Sequence, residues 1–406
     1  MTKVIKCGRL IDGTGGEPIS RALVVIEGDR IAAVGREGEV TLPAQAQEID
    51  LSGKTVLPGM IDTHLHIMGN GAPATELQNL KELTPYKALK ALRHAQADLE
   101  AGFTTLRDVG APGFIDVAVK KAIEAGLYAG PRLQVAGPIL STTGGHGDSH
   151  LAPEVQFATG TGAVVDSPDA ARKAARVNLK YGADLIKVSA TGGVLSDGDE
   201  PGAQQLSYEE MKAAIDEAKK VGKRSASHAQ GTKGIKEAIR AGVTSIDHGC
   251  FLDDEAIRMM LEHGCYLVPT LCAPWHIAKN GVEAGIPEYG VRKTKVVMES
   301  HWASFRAALQ AGVKIAMGTD AATPFNYHGK NAFELQLMVE AGMPEMQAIL
   351  AATKVAAELM GWEDRVGTVE AGKYADLIAV DSDPLQDIKS LQDVKVVIKG
   401  GVLIKG

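Results

Sequence analysis

Four stretches of the chain share one local pattern: EAGFTTLRD, KYGADLIKV, RAGVTSIDH and QAGVKIAMG, at 100–108, 180–188, 240–248 and 310–318. Each reads as a helix end, a glycine suited to the left-handed position just past it, and the start of a strand. A helix that repeatedly feeds a strand is a βα unit. From Thr55 to about Met360, short apolar runs alternate with amphipathic segments such as YKALKALRHAQADLEAG and SYEEMKAAIDEAKKVG. The strand candidates are TVLPGMIDTHLHI, TTLRDVG, RLQVAG, LIKVSA, RSASHA, SIDHG, YLVPTL and KIAMGTD. Eight such units in one run predict an α/β chain with a closed (β/α)8 barrel of the TIM type. An open doubly wound sheet is the rival. It would carry a glycine-rich phosphate turn after its first strand, and HLHIMGNGAP is not that fingerprint.

The two ends of the chain differ from the middle. VIKCGRLIDG, ALVVIEGDRIAAVG and QEIDL at the start are β-rich and broken by turn residues. ADLIAVDSD, VKVVIKGG and VLIKG at the end have the same character. The expected organisation is a small β-sandwich domain built from residues 1–56 and 362–406 around a barrel at 57–361.

In a barrel of parallel strands the C-terminal strand ends converge on one face, where catalytic groups sit. Five of the eight candidates end in groups that can bind or position a metal. His64 and His66 close the first, Lys187 lies on the fourth, His228 ends the fifth, His248 the sixth and Asp320 the eighth. Residues i and i+2 of a strand point to the same side with Cα atoms roughly 6.5 Å apart, so His64 and His66 can close on one cation. Taken singly, each has an ordinary explanation: a hydrogen-bonded core histidine, a surface lysine, or, for Asp320, an N-cap before AATP. Coincidence at five separate strand ends is improbable.

The formal net charge is −7, with no basic run or stripe. That argues against nucleic acid or an anionic membrane as partner and favours small-molecule chemistry. No apolar stretch approaches the roughly 20 residues that span a bilayer. The start, MTKVIKCGRLIDG, lacks a secretory apolar core, so a cytoplasmic location is expected. Cys7, Cys250, Cys265 and Cys272 form no C-x-x-C pair and are expected as reduced, mostly buried thiols.

LPGMIDTHLH, IKVSATGG, SHAQGTKGIKEAIRAGVTSIDHG, GTDA and VGTVEAGKYADLIAVD resemble the amidohydrolase superfamily over essentially the whole chain. The likeness is greatest to the subgroup with imidazolonepropionase-related hydrolases and metal-dependent dipeptidases of the Xaa-Pro and carboxypeptidase type. Ochratoxin-hydrolysing amidohydrolases are similar as well. The resemblance implies two divalent metal ions, with zinc as first choice. His64 and His66 would hold one with Asp320, and His228 and His248 the other. Lys187, carboxylated by CO2, would bridge them together with a hydroxide that attacks an amide carbonyl. Asp320 would pass the proton to the leaving amine. A plain ammonium has no lone pair for a metal, so this role needs the neutral amine as starting point. A homo-oligomer, with an octamer among the family's forms, is also implied.

Further polar groups are expected on the same face. His146 lies in STTGGHGDSH after the third strand, Tyr327, His328 and Asn331 lie in TPFNYHGKN after the eighth, and Gln230 follows His228 by two residues. In the dipeptidases that the chain resembles, groups at the places of His146 and Gln230 touch the substrate carboxylate or scissile carbonyl. The expected substrate is therefore a small-molecule amide, a dipeptide or N-acyl amino acid, with ochratoxin A in range. The alternatives are a cyclic-amide hydrolase or deaminase with Lys187 unmodified, and a non-catalytic scaffold, which would be expected to have lost ligands.

Overall fold

A computed structural model of the chain describes residues 2–73, 80–152, 154 and 162–406. All four junction glycines take left-handed backbone, Gly102 at φ 99°, Gly182 at 110°, Gly242 at 86° and Gly312 at 83°. A side chain would be strained there, so the shared pattern is a backbone requirement.

The first four strands are β1 (Thr2–Leu10), β2 (Ile19–Glu27), β3 (Arg30–Arg36) and β4 (Gln47–Pro58). The middle of the chain adds β5 (Met60–Leu65), β6 (Phe103–Asp108), β7 (Arg132–Val135), β8 (Ile139–Ser141), β9 (Gly162–Val164), β10 (Leu185–Ser189), β11 (Arg224–Ala229), β12 (Ser245–His248) and β13 (Tyr266–Val268). The end supplies β14 (Leu377–Val380), β15 (Val396–Lys399) and β16 (Val402–Lys405).

Both ends of the chain share one seven-stranded sheet, ordered β16-β15-β14-β4-β1-β2-β3. β4 is the seam, parallel to β1 and antiparallel to β14 with Leu377 opposite Pro58. Alternation sorts its side chains. Ala22, Val24 and Ile26 of β2 enter one apolar cluster, while Leu23 and Val25 enter another. β4 runs two residues beyond the expected boundary, and Gly59 then turns the chain into β5. A Cβ on Gly59 would lie 2.8 Å from Thr104 Cβ, so the turn sits tight against β6.

The middle strands pair only in parallel, as β5-β6-β7 and as β13-β12-β11-β10-β8-β9. Helices such as Pro168–Tyr181 and Thr232–Ala241 separate them. Asp184 N–H, just before β10, donates to Val135 O of β7 at 2.7 Å. The expected eighth strand, KIAMGTD, is not a regular strand. It makes isolated bridges, Ile315 to Leu267 and, just past it, Ala321 to Leu65. Its backbone nonetheless bonds on both sides: Leu267 N–H to Lys314 O, Thr63 N–H to Met317 O and Thr319 N–H to His64 O. Gly318 explains the irregularity, since a Cβ there would come within 2.8 Å of His64 Cβ. β8 and β9 were not anticipated; β8 follows the third strand after a break, and β9 pairs beside it in parallel at the sheet edge.

The largest apolar cluster lies between these strands and their helices, joining Leu65, Leu106, Val188 and Ile246 to Ala91 and Ile235. Parallel strands put His64, Lys187, His228 and His248 at or near one set of ends. All four cysteines are free and buried. Among the described residues, no helix is long and apolar enough to cross a membrane.

Candidate metal centre

His64 lies on β5 with 2 % of its surface exposed, and His66 follows the strand. Their rings stand edge to face, centroids 5.6 Å apart. Asp320 Oδ1 is 3.5 Å from Nε2 of both. One donor atom from each of the three falls within 4.8 Å of the others, an arrangement that fits a cation.

The outer contacts decide which nitrogens face inward. A carbonyl can only accept, so His66 donates Nδ1–H to Gly110 O at 2.8 Å and presents a bare Nε2. His228 donates Nε2–H to Gly192 O at 3.1 Å and keeps a bare Nδ1. Thr270 Oγ1–H donates to Pro269 O, so it accepts from His248 Nδ1–H at 2.7 Å, and His248 Nε2 is bare. The rings of His64 and His228 lie 5.0 and 4.6 Å from that of His248. Burial pushes His66 down to about 4 and His228 and His248 well below their ordinary values, so these imidazoles hold a lone pair at neutral pH. Burial and Lys187 pull His64 the same way, but Asp247 and Asp320 outweigh them and raise it. Burial would raise Asp320, but His64, with His66 and His248, holds it below the usual carboxylate range. His248, Thr270 and Asp320 have φ of 73°, 54° and 56°. Such conformations cost of order 1–3 kcal/mol each and cluster at functional sites.

Lys187 is 1 % exposed, and its Nζ donates to Asp247 Oδ2. Burial lowers its pKa against the pull of Asp247. Asp247 Oδ2 also lies 3.1 Å from His64 Nδ1, a contact without the alignment of a hydrogen bond. Asp247 Oδ1 accepts from Ser245 Oγ at 2.9 Å and faces Arg107 at 3.5 Å. Arg107 is itself buried and bonds Thr63 O and Ser245 Oγ. Sequence reading missed both residues. Asp247 was available as the neighbour of His248 in SIDHG, and Arg107 as the one cation inside TTLRDVG.

The amidohydrolase family matches residues 55–404. The chain belongs to the amidohydrolase family. Members of the family generally bind metal ions, and this chain is a hydrolase of C–N bonds. This amidohydrolase is 34 % identical to the ochratoxinase of Aspergillus niger over 99 % of its own length and 86 % of the fungal protein. A solved Xaa-Pro dipeptidase with bound methionine is 39 % identical over 100 % of both chains, with a TM-score of 0.93. A prolidase complexed with N-methylphosphonate-L-proline is 34 % identical over 100 % of both, with a TM-score of 0.92. The architecture is accordingly of the TIM-barrel type.

Of the residues expected at the substrate, this amidohydrolase brings two to the cluster of histidines and Asp320. His66, His228, His248 and Asp320 open onto a cavity of about 210 Å3 that His146 and Gln230 also line. His146 stacks on His228 at 4.0 Å and bonds Ser196 Oγ through Nδ1 at 2.9 Å. The other three lie elsewhere. His328 bonds Asp98 Oδ2 at 2.8 Å and the His66 carbonyl at 3.3 Å, and stacks on His94. Asn331 donates to Asp62 Oδ2 at 2.8 Å, and Asp62 accepts from His64 N–H and Thr319 Oγ1. Tyr327 is 45 % exposed and packs toward Phe325. Within TPFNYHGKN, Thr323 lines the cavity, whereas His328 and Asn331 lie behind the histidines and Asp320 and brace the backbone of His64 and His66.

Arg107→Met is expected to destabilise the fold by about 3–5 kcal/mol, because it strips a buried cation from Asp247. Arg107→Lys recovers little of this, lacking the planar fork that reaches Thr63 O and Ser245 together. Urea denaturation reads both, and a loss under about 1 kcal/mol for Arg107→Met would remove the bracing role.

Proposed function

We propose that this amidohydrolase cleaves the amide bond of a dipeptide or N-acyl amino acid, with ochratoxin-like amides in its range, using two divalent ions, zinc first among them. The cluster of bare imidazole nitrogens and an ionised carboxylate opening onto a cavity carries this reading. The likeness to an Xaa-Pro dipeptidase and an ochratoxinase supports the substrate class. His64, His66 and Asp320 would hold one ion, and His228 and His248 the other, with Lys187 carboxylated between them. Bound there, the ions supply Lewis acidity that ionises water near neutral pH and polarises an amide carbonyl. A carbamate at Lys187 would face the Asp247 carboxylate, so its formation is favoured only with cations beside it.

Asp320 stays ionised and is positioned to take the proton of the attacking water and return it to the leaving nitrogen. His146 and Gln230 on the cavity wall would orient the substrate. The same proposal includes a closed (β/α)8 ring at 57–361, a β-sandwich unit from 1–56 and 362–406, a homo-oligomer and a cytoplasmic location.

The test compares N-acyl amino acids with their C-terminal amides. Acids should be cleaved with kcat/KM at least about 100-fold higher, because a site built for a carboxylate leaves polar groups unpaired against the amide. Equal turnover of both would end the carboxylate assignment.

A further inference from the structure

The cavity beside His66 and Asp320 has two unlike sides. Imidazoles line one. The other is an apolar chamber walled by Val194, Leu195, Cys250, Ile277 and Val297, which form a cluster separate from the core between strands and helices. Into this wall is set His301, 1 % exposed. It lies on the helix Glu288–Ala311, four residues after Val297 and on the same face. That helix buries Val291, Val297, Phe305 and Ala308 together with the polar Lys293, Thr294 and Ser304, and His301 lies on this buried face.

Neither ring nitrogen of His301 makes an aligned hydrogen bond, although the carbonyls of Pro269 and His248 lie beside the ring. Gln230 Oε1, on the same cavity, is a second buried polar atom without a partner. Water can satisfy such atoms while the cavity is open. A group that fills the chamber displaces that water and must offer its own hydrogen bond, or leave the imidazole unpaired.

We propose that the chamber receives an apolar side chain of the substrate, from its amino acid or its acyl part, and that His301 selects chains carrying a hydrogen-bonding atom near the tip. A tyrosyl group then fits better than a phenylalanyl group of the same shape. His301 is a specificity residue and takes no part in the bond that breaks. The inference rests on the amide-hydrolase reading above.

Four dipeptides test it: Ala-Tyr, Ala-Phe, Tyr-Ala and Phe-Ala, assayed with the metal-loaded enzyme. At one of the two positions kcat/KM for the tyrosyl substrate should exceed the phenylalanyl one by about tenfold or more. His301→Leu should bring that ratio to about one, and His301→Asn, which keeps donor and acceptor, should retain part of it. A packing role would slow both members of a pair alike and leave the ratio unchanged. A wild-type ratio within about twofold at both positions overturns the proposal, as does an unaltered ratio in His301→Leu. Failure of the underlying reading looks different: none of the four is cleaved, nor any N-acyl amino acid, and the proposal falls with it.

Discussion

Asp320→Asn lowers kcat by about 10³-fold or more and leaves the fold in place. The substitution is close to isosteric, and its backbone site favours it. Asp320 sits at φ 56°, in the left-handed region that asparagine tolerates better than most residues. Its backbone N–H to His64 O, at 2.7 Å, is untouched. What disappears is the negative oxygen 3.5 Å from both His64 and His66. Loss of a positioned proton-transfer group alone removes about 10²–10⁴ in rate, and the loss of a cation ligand adds to it. The charge also carries some stability. Burial opposes it, but the imidazoles hold the folded pKa below the ordinary carboxylate value. The ionised group therefore favours the fold at neutral pH, and that contribution fades as pH falls through the folded value. Steady-state kinetics beside a thermal melt separates the two effects. Residual kcat within tenfold of wild type, in a fully metal-loaded variant, would remove Asp320 from the chemistry.

The residues legible in the sequence share a property: they lie on, or just past, strand candidates whose ends a parallel barrel brings to one face. His64 and His66 are read as a pair because period two puts them on one side, and parallel strands bring Lys187, His228 and His248 to meet them. The groups that hold these ligands were not legible. Asp247 and Arg107 sit on strands that read as ordinary, and only the three-dimensional meeting of β5, β6, β10 and β12 makes them a unit. His328 and Asn331 were in view as polar loop residues, but a loop's direction does not follow from its composition. TPFNYHGKN turns back to Asp98 and Asp62, whereas STTGGHGDSH brings His146 onto His228. KIAMGTD shows the same limit for backbone. Its composition is that of a strand, yet the close approach of Gly318 to His64 breaks regular pairing. His301 was concealed differently, on the buried face of a helix that mixes apolar and polar members.

Lys187→Ala separates two accounts of the buried lysine. In one, Lys187 is only the counter-ion of Asp247. In the other it is the precursor of a carbamate between two cations. Both predict destabilisation of the metal-free protein, about 3–5 kcal/mol, since a charge that is 0 % exposed loses its partner. Arg107 and His64 remain beside Asp247 and temper the loss. The accounts part on metal. A counter-ion leaves stoichiometry unchanged. A carbamate precursor takes metal content from about two per chain to one or fewer and lowers kcat by 10³-fold or more by the same transition-state arithmetic, roughly 4 kcal/mol. Burial already lowers the Lys187 pKa toward the neutral amine that reacts with CO2, so the second result is expected. A carbamate resonance in wild-type protein grown with labelled bicarbonate, absent from Lys187→Ala, identifies the group directly. Two metals per chain in Lys187→Ala would return Lys187 to the role of a counter-ion.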